Sequence, residues 1–300
     1  MKTSNYHWYN PPFEEYNVAQ SAAVPFMDKD VNMVVSFPTA TGKTVLAECA
    51  FAYHMKSGGD CRVAYVCPTR SLAAEKYEEW RRGQFSEYGV VMGTGDTVTG
   101  MSDFMGARMS VTTVESFDSK TRIGRWKPWL ESLSCVVFDE AHLIGSKGRG
   151  GALECSIVRF SALNPSARII LLSATMSNGL AVARWVKSLN SKETKCITSS
   201  WSPTKVEMLV ERVDGYDEKV ERVVEMAKSL PGKKTIVFVH SRVTGGKILK
   251  ALRASKIRSA FHNASLSTAK RRKIEEVFGD AGSGLDIIVS TSTLGMGVNI

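Results

Sequence analysis

The segment Ser36 to Glu48, Ser-Phe-Pro-Thr-Ala-Thr-Gly-Lys-Thr-Val-Leu-Ala-Glu, constrains this chain more than any other, because it obliges an apolar strand to turn abruptly into a helix. Val31, Met33, Val34 and Val35 form a short apolar run suited to a buried strand, while Val45, Leu46, Cys49 and Ala50 recur at helical spacing. Gly42, Lys43 and Thr44 therefore fall at a helix N-terminus, where unpaired N–H groups and the positive end of the helix dipole favour an anion. A lysine adds point charge there and a threonine hydroxyl can ligate magnesium, so these residues imply a nucleoside triphosphate. The general phosphate-loop pattern has glycine five residues before Gly42, and this chain has Phe37.

The rest of the first two hundred residues repeats this strand-then-polar-turn grammar. A short helix is predicted over Val18 to Met27, carrying Gln20, and the helix after Thr44 stops at Gly58-Gly59. Strands are predicted at Arg62 to Cys67, Gly89 to Met92, Met109 to Val114, Cys135 to Phe138 and Ala167 to Leu172, with a helix over Ser71 to Arg82. The alternation implies a parallel sheet covered by helices, whose ligands collect at the carboxyl ends of strands. Four polar clusters lie at such ends: Gly42 to Thr44, Pro68 to Arg70, Asp139 to His142 and Ser173 to Thr175. Asp139 and Glu140 place two carboxylates at a strand tip, 96 residues after Lys43; one suits magnesium and the next suits orienting and deprotonating a water. His142 beside Glu140 suits a coupling hydrogen bond to Ser173 or Thr175.

At 300 residues two domains are expected, and 43% apolar with 23% charged residues excludes a disordered tail. The formal charge is +9, and 17 basic against 11 acidic residues from Trp201 to Ile300 put +6 of it in the second part. That balance favours polyanionic partners. Six cysteines without zinc-ligand spacing read as buried free thiols of a reducing compartment, cytoplasmic or nuclear, and no run reaches membrane-spanning length. Trp126 and Trp129 read as surface cover, and Gly145 to Gly151 as a mobile basic loop.

The ordered set Gln20, Pro-Thr-Ala-Thr-Gly-Lys-Thr at 38 to 44, Pro-Thr-Arg-Ser-Leu-Ala at 68 to 73, Asp-Glu-Ala-His at 139 to 142 and Ser-Ala-Thr at 173 to 175 resembles the superfamily 2 DExH-box helicases. Val237 to Arg242 and Ser290 to Asn299 resemble motifs IV and V of their second lobe. Thr94-Gly95-Asp96 and Val111 to Ser116 are similar to the nucleic-acid motifs of one branch, the archaeal repair helicases and the polymerase theta helicase domain, with exosome-associated RNA helicases as near cousins.

The resemblance implies an α/β fold of two tandem RecA-like parallel-sheet lobes, residues 1–200 and 201–300, joined by a Ser- and Pro-rich linker at Ser199 to Thr204. It implies an ATP- and Mg²⁺-dependent helicase or translocase acting on single-stranded or partly duplex nucleic acid, in the 3′ to 5′ direction on DNA. An RNA helicase of the exosome-associated branch, or a nucleotide-dependent binding module that does not turn over, are the alternatives. Carried over by position, Gln20 would meet adenine and Ala40, Thr41, Gly42 and Lys43 the phosphates. Thr44 and Asp139 would hold magnesium, and Glu140 would be the general base with His142 beside it. Gly297 and Asn299 would face the nucleotide, and Ser173 and Thr175 would couple the sites. Pro68, Thr69, Arg70, Gly95, Asp96, Thr112 and Thr113 would follow nucleic-acid phosphates in the first lobe, and Ser241, Arg242, Thr291 and Thr293 in the second. Ser116 and Ser202 stand where that branch often has Lys and Arg.

For the second lobe the pattern predicts strands at Val206 to Val210 and Thr235 to Val239 and helices at Tyr216 to Leu230, Lys247 to Ala254 and Leu266 to Phe278. The last carries the run Lys270 to Lys273, suited to phosphates or to a solvated face. The chain stops at Ile300, within motif V, so the second lobe is expected to be incomplete and the chain to be the N-terminal portion of a longer motor, weakly active or inactive as an ATP hydrolase by itself.

Overall fold

The computed structural model describes residues 1–6, 8–95 and 99–294, which form two compact units, Met1–Lys205 and Val206–Ile300. In the first unit the strands are β1 Asn32–Ser36, β2 Arg62–Cys67, β3 Val90–Gly93, β4 Met109–Thr113, β5 Leu133–Phe138, β6 Arg168–Ser173 and β7 Thr194–Thr198. The helices are α1 Val18–Ala23, α2 Lys43–Lys56, α3 Arg70–Arg82, α4 Met101–Gly106, α5 Val114–Arg122, α6 Lys127–Ser132, α7 Arg149–Leu163 and α8 Gly179–Asn190. All seven strands pair in parallel in the order β3-β4-β2-β5-β6-β1-β7.

Burial on both faces explains the continuous apolar runs. Alternate residues of each central strand serve opposite layers: Met33, Val35, Val63, Tyr65 and Val137 join one core, and Val34, Ala64, Val66, Val136 and Phe138 the other. Arg168, fully buried at the start of β6, donates to the carbonyls of Val31, Met27 and Phe26 at 2.7–2.8 Å, so its charge anchors the backbone that leads into β1.

Several expectations are corrected here. Trp126 and Trp129 are core residues, not surface cover: they stack edge-on with Phe104, and Trp129 also meets Phe117. The predicted loop at Gly145 to Gly151 gives way to α7, which starts inside it. A Cβ on Gly150 would come within 2.6 Å of the Leu143 carbonyl, so glycine there permits a close backbone approach. The thiols of Cys49, Cys67 and Cys135 are buried, whereas Cys155 is exposed.

In the second unit β8 Thr235–Phe238, β9 Ser259–His262 and β10 Ile287–Ser290 pair in parallel in the order β8-β10-β9, with helices α9 Tyr216–Ser229, α10 Arg242–Ala254 and α11 Thr268–Gly279. Ile287 and Val289 pack with α9 and α10 on one face, and Ile288 packs with Phe278 of α11 on the other. The predicted strand at Val206 to Val210 is absent: Val206, Met208, Leu209 and Val210 are 79–93% exposed in irregular backbone. Their β-propensity finds no partner strand among the described residues, and propensity without packing does not hold a strand.

Candidate active site

A parallel sheet delivers every strand's carboxyl end to one rim, and the polar clusters of the first unit all follow such ends. The turn after β1 takes left-handed backbone at Ala40 (φ 60°) and Gly42 (φ 73°), which swings the chain into α2. Phe37 is fully buried and belongs to the first core cluster, so the bulky side chain packs into the core and not into the loop. Lys43 folds back over the loop, its Nζ donating to the carbonyls of Phe37 and Pro38 at 3.2 and 3.1 Å. Thr41 donates to the Pro38 carbonyl at 2.9 Å and closes the turn from inside.

Helix α1 is tied to this loop. Asn17 and Gln20 form a capping box, the Gln20 N–H donating to Asn17 Oδ1 and the Asn17 N–H to Gln20 Oε1. Their remaining donors reach the loop: Asn17 Nδ2 to the Thr41 carbonyl at 3.0 Å and Gln20 Nε2 to the Gly42 carbonyl at 3.3 Å. Gln20 therefore braces the phosphate loop directly. Asn17 was not singled out from sequence, although the Asn-x-x-Gln spacing before an apolar run was the available signal.

At the end of β5, Asp139 is held by both carboxylate oxygens. Oδ1 accepts the Glu140 N–H at 2.9 Å, and Oδ2 accepts the phenol of Tyr65, fully buried on neighbouring β2. Burial lifts the Tyr65 phenol far above its ordinary range, so it remains a donor. Glu140 takes the left-handed conformation (φ 53°), uncommon for a side chain with a Cβ and costing about 1 kcal/mol or more. Burial first, and Asp139 second, raise its carboxyl above the usual range, with His142 and Lys43 opposing. Burial likewise lowers the Lys43 ammonium, against the pull of Glu140 and Asp139. Lys43, Asp139 and Glu140 are thus within electrostatic reach of one another, brought together from two strands.

His142 Nδ1 lies 3.2 Å from Glu140 Oε2. The expected bridge from His142 to Ser173 or Thr175 is not formed. Ser173 donates to the Ala174 carbonyl at 2.8 Å, Ser36 shares that acceptor at 3.2 Å, and Thr175 is exposed. The Ser36 bond ties the end of β6 to the base of the phosphate loop, as does the Phe37 N–H donating to the Ser173 carbonyl at 3.1 Å.

The residues expected to meet nucleic acid divide by burial. Thr112 is fully buried and its hydroxyl has no partner among the described residues, which places it inside the sheet and not on its surface. Thr69, Thr113 and Ser241 are N-caps, accepting the N–H groups of Leu72, Ser116 and Thr244 at 3.2, 3.4 and 3.1 Å. Their hydroxyls fix the helix starts, and the remaining first-turn N–H groups stay available to an anion. Pro68 is buried; Arg70 is exposed and lies against Gly95, whose added Cβ would sit 3.1 Å from the guanidinium. Arg242 is exposed at the start of α10. Thr293 is drawn inward to His262 Nδ1 at 2.8 Å, and His262 Nε2 meets Glu275 of α11 at 2.8 Å; Thr291 lies 3.5 Å from Thr293. Neither His262 nor Glu275 carries a sequence signal of its own. Asp96, Gly297 and Asn299 lie outside the described residues.

Fold and site together define a phosphate-loop protein with two RecA-like α/β lobes. Residues 17–182 match the family model of the DEAD/DEAH box helicases, and residues 218–300 match that of the helicase conserved C-terminal domain. The chain belongs to the DEAD/DEAH box helicase family. It is 30% identical over 317 residues to the ATP-dependent DNA helicase Hel308 of Pyrococcus horikoshii, covering 90% of this chain and 42% of that protein. Against the protein of the same name from Thermococcus kodakarensis the identity is 30% over 309 residues, covering 88% and 26%. The chain thus spans less than half the length of these curated relatives. Among solved structures it superposes on the Mycobacterium smegmatis helicase Lhr bound to ssDNA and AMP-PNP, with TM-score 0.68, 25% identity and coverage of 97% of this chain and 42% of that one. The DUF1998 helicase MrfA bound to DNA and AMPPNP gives 0.74 at 20% identity, covering 96% and 43%, a likeness of fold.

Proposed function

We propose that this chain is the ATP-driven motor core of a nucleic-acid helicase or translocase, acting on DNA in the 3′ to 5′ direction, with residues 1–200 and 201–300 as its two lobes. The observation that carries the reading is the convergence of the Lys43 loop and the Asp139–Glu140 pair on one rim, flanked by capped helix starts with exposed Arg70. Support also comes from relatives named as ATP-dependent DNA helicases and from a similar structure bound to ssDNA and AMP-PNP.

Gln20 meets the adenine while bracing the loop, and the backbone of Ala40 to Lys43 cradles the phosphates. Lys43 exchanges its two loop carbonyls for phosphate oxygens. Glu140 accepts the proton of the attacking water, and His142 steadies its far oxygen. A buried carboxylate and a hydroxyl, Asp139 and Thr44, are the hard oxygen donors that suit Mg²⁺, which when bound neutralises charge on the phosphates. First-turn N–H groups with Arg70, Arg242 and Thr291 hold backbone phosphates without reading sequence.

Measurement of ATP hydrolysis with and without single-stranded DNA and RNA, together with strand displacement on duplexes tailed at either end, tests this reading. Stimulation by DNA and displacement from a 3′ tail are expected of a protein that carries this motor core within the full length of its relatives. Stimulation by RNA alone would move the chain to an RNA substrate, and hydrolysis indifferent to both would sink the motor assignment.

A further inference from the structure

A groove of about 440 Å³ runs along the outer edge of the second unit's sheet. Its position follows from the packing. Leu249 and Arg253 come from α10, which covers one face of the sheet, whereas Ile274 and Val277 come from α11, which covers the other. Walls from both layers meet only past the last strand, and that strand is β9, whose Ala260 and Phe261 form the floor. β9 pairs with β10 alone, so no described strand takes the hydrogen-bonding groups on its other side. Arg253 donates to the Ser259 carbonyl at 3.5 Å, at the mouth of this edge.

Two further features define the occupant. Seven of the ten residues lining the groove are apolar and the other three are Arg253, Lys270 and Lys273, all exposed. From Met226 to Ile274 the chain carries 13 basic residues and no acidic one. The three rim cations repel a second copy of the same edge and a basic segment alike, which is how natural edge strands avoid pairing with themselves. The apolar part of the lining is aliphatic except for Phe261, and so offers no ladder of stacking faces for bases.

We infer that the β9 edge is a docking site for an extended acidic-apolar segment of a partner protein, which adds a strand to the sheet. Alternate apolar side chains of that segment fill the space between Leu249 and Ile274, and its carboxylates meet Arg253, Lys270 and Lys273. Backbone pairing supplies affinity and the charged rim supplies selection.

The test uses the whole chain and a fluorescein-labelled peptide of about ten residues in which Glu and Leu alternate. Its Lys-for-Glu counterpart, a version N-methylated at every second amide, and single-stranded oligothymidylate serve as comparisons. The Glu peptide should bind at least about tenfold more tightly than the Lys peptide and than the N-methylated one. Lys270→Glu with Lys273→Glu, both on exposed positions, should reverse the preference while circular dichroism stays unchanged. Amide exchange should slow at Ser259 to His262 when the peptide is present. Equal affinity for the two charges, no binding at all, or unaltered binding by the double variant would overturn the proposal. Displacement of the peptide by oligothymidylate would assign the groove to nucleic acid, and self-association abolished by Val277→Asp would assign it to a second copy; either result also overturns it.

Discussion

The two units are built on the same parallel α/β plan, yet they differ in how deeply the strands are buried. In the first, β1, β2, β4 and β6 are buried at every position, and their tips carry the phosphate loop, the Ser-Ala-Thr turn and two capped helix starts. In the second, only β10 is buried throughout, β8 leaves Phe238 57% exposed, and β9 has an open edge. Chemistry on phosphates needs groups fixed within about 0.5 Å, which a strand clamped on both faces provides. Holding a flexible polyanion by its backbone, or receiving another strand, tolerates a shallower scaffold. Depth of burial therefore separates the unit suited to bond-breaking from the unit suited to docking.

The largest effect that tests this division is on hydrolysis. Lys43→Ala and Glu140→Gln should each cut turnover by about 10² to 10⁴, but only Lys43→Ala should weaken nucleotide binding, because the proposed role of Glu140 is on the water. Loss of nucleotide affinity by Glu140→Gln equal to its loss of turnover would make Glu140 a binding residue.

Stability gives the next contrast. Trp129→Ala should cost about 3–5 kcal/mol in urea denaturation, since it empties a site in contact with Phe104 and Phe117. Phe238→Ala should cost less than about 1 kcal/mol. Equal losses would mean that the second unit's sheet is covered in solution.

Tyr65→Phe isolates the buried hydroxyl on Asp139. About a tenfold higher Mg²⁺ requirement for nucleotide binding is expected, with little change in binding when EDTA is present. An unchanged Mg²⁺ dependence would leave the tyrosine a packing residue only.

The smallest effect belongs to the docking side. Arg242→Ala should weaken single-stranded nucleic-acid binding evenly across sequences and lower the log–log salt slope by about one, without altering nucleotide affinity. A selective loss on one base sequence would break the phosphate-contact reading.

What the sequence determined by itself was local. Apolar runs ending in Gly-Lys-Thr, Asp-Glu-Ala-His and Ser-Ala-Thr mark strands and the turns that follow them, because a strand buried on both faces must be apolar along its whole length. Hence the first sheet, and the places of Lys43, Asp139 and Glu140 just past its strand ends, were legible before any fold was known. The tertiary structure alone decided what depends on neighbours distant in the chain. Trp126 and Trp129 looked like surface because their segment is polar, and they are buried because α4 and α5 bring Phe104 and Phe117 against them. The expected strand at Val206 to Val210 has strand-like residues but no strand beside it. Tyr65 reads as one more apolar strand residue until β2 and β5 pair and carry its hydroxyl to Asp139, 74 residues away. The hydroxyls of Thr69, Thr113 and Ser241, to which the resemblance assigns phosphate contacts, are taken by the helices they cap. A side chain's type limits the bonds it can form, and only folding determines which partner comes close enough to form them.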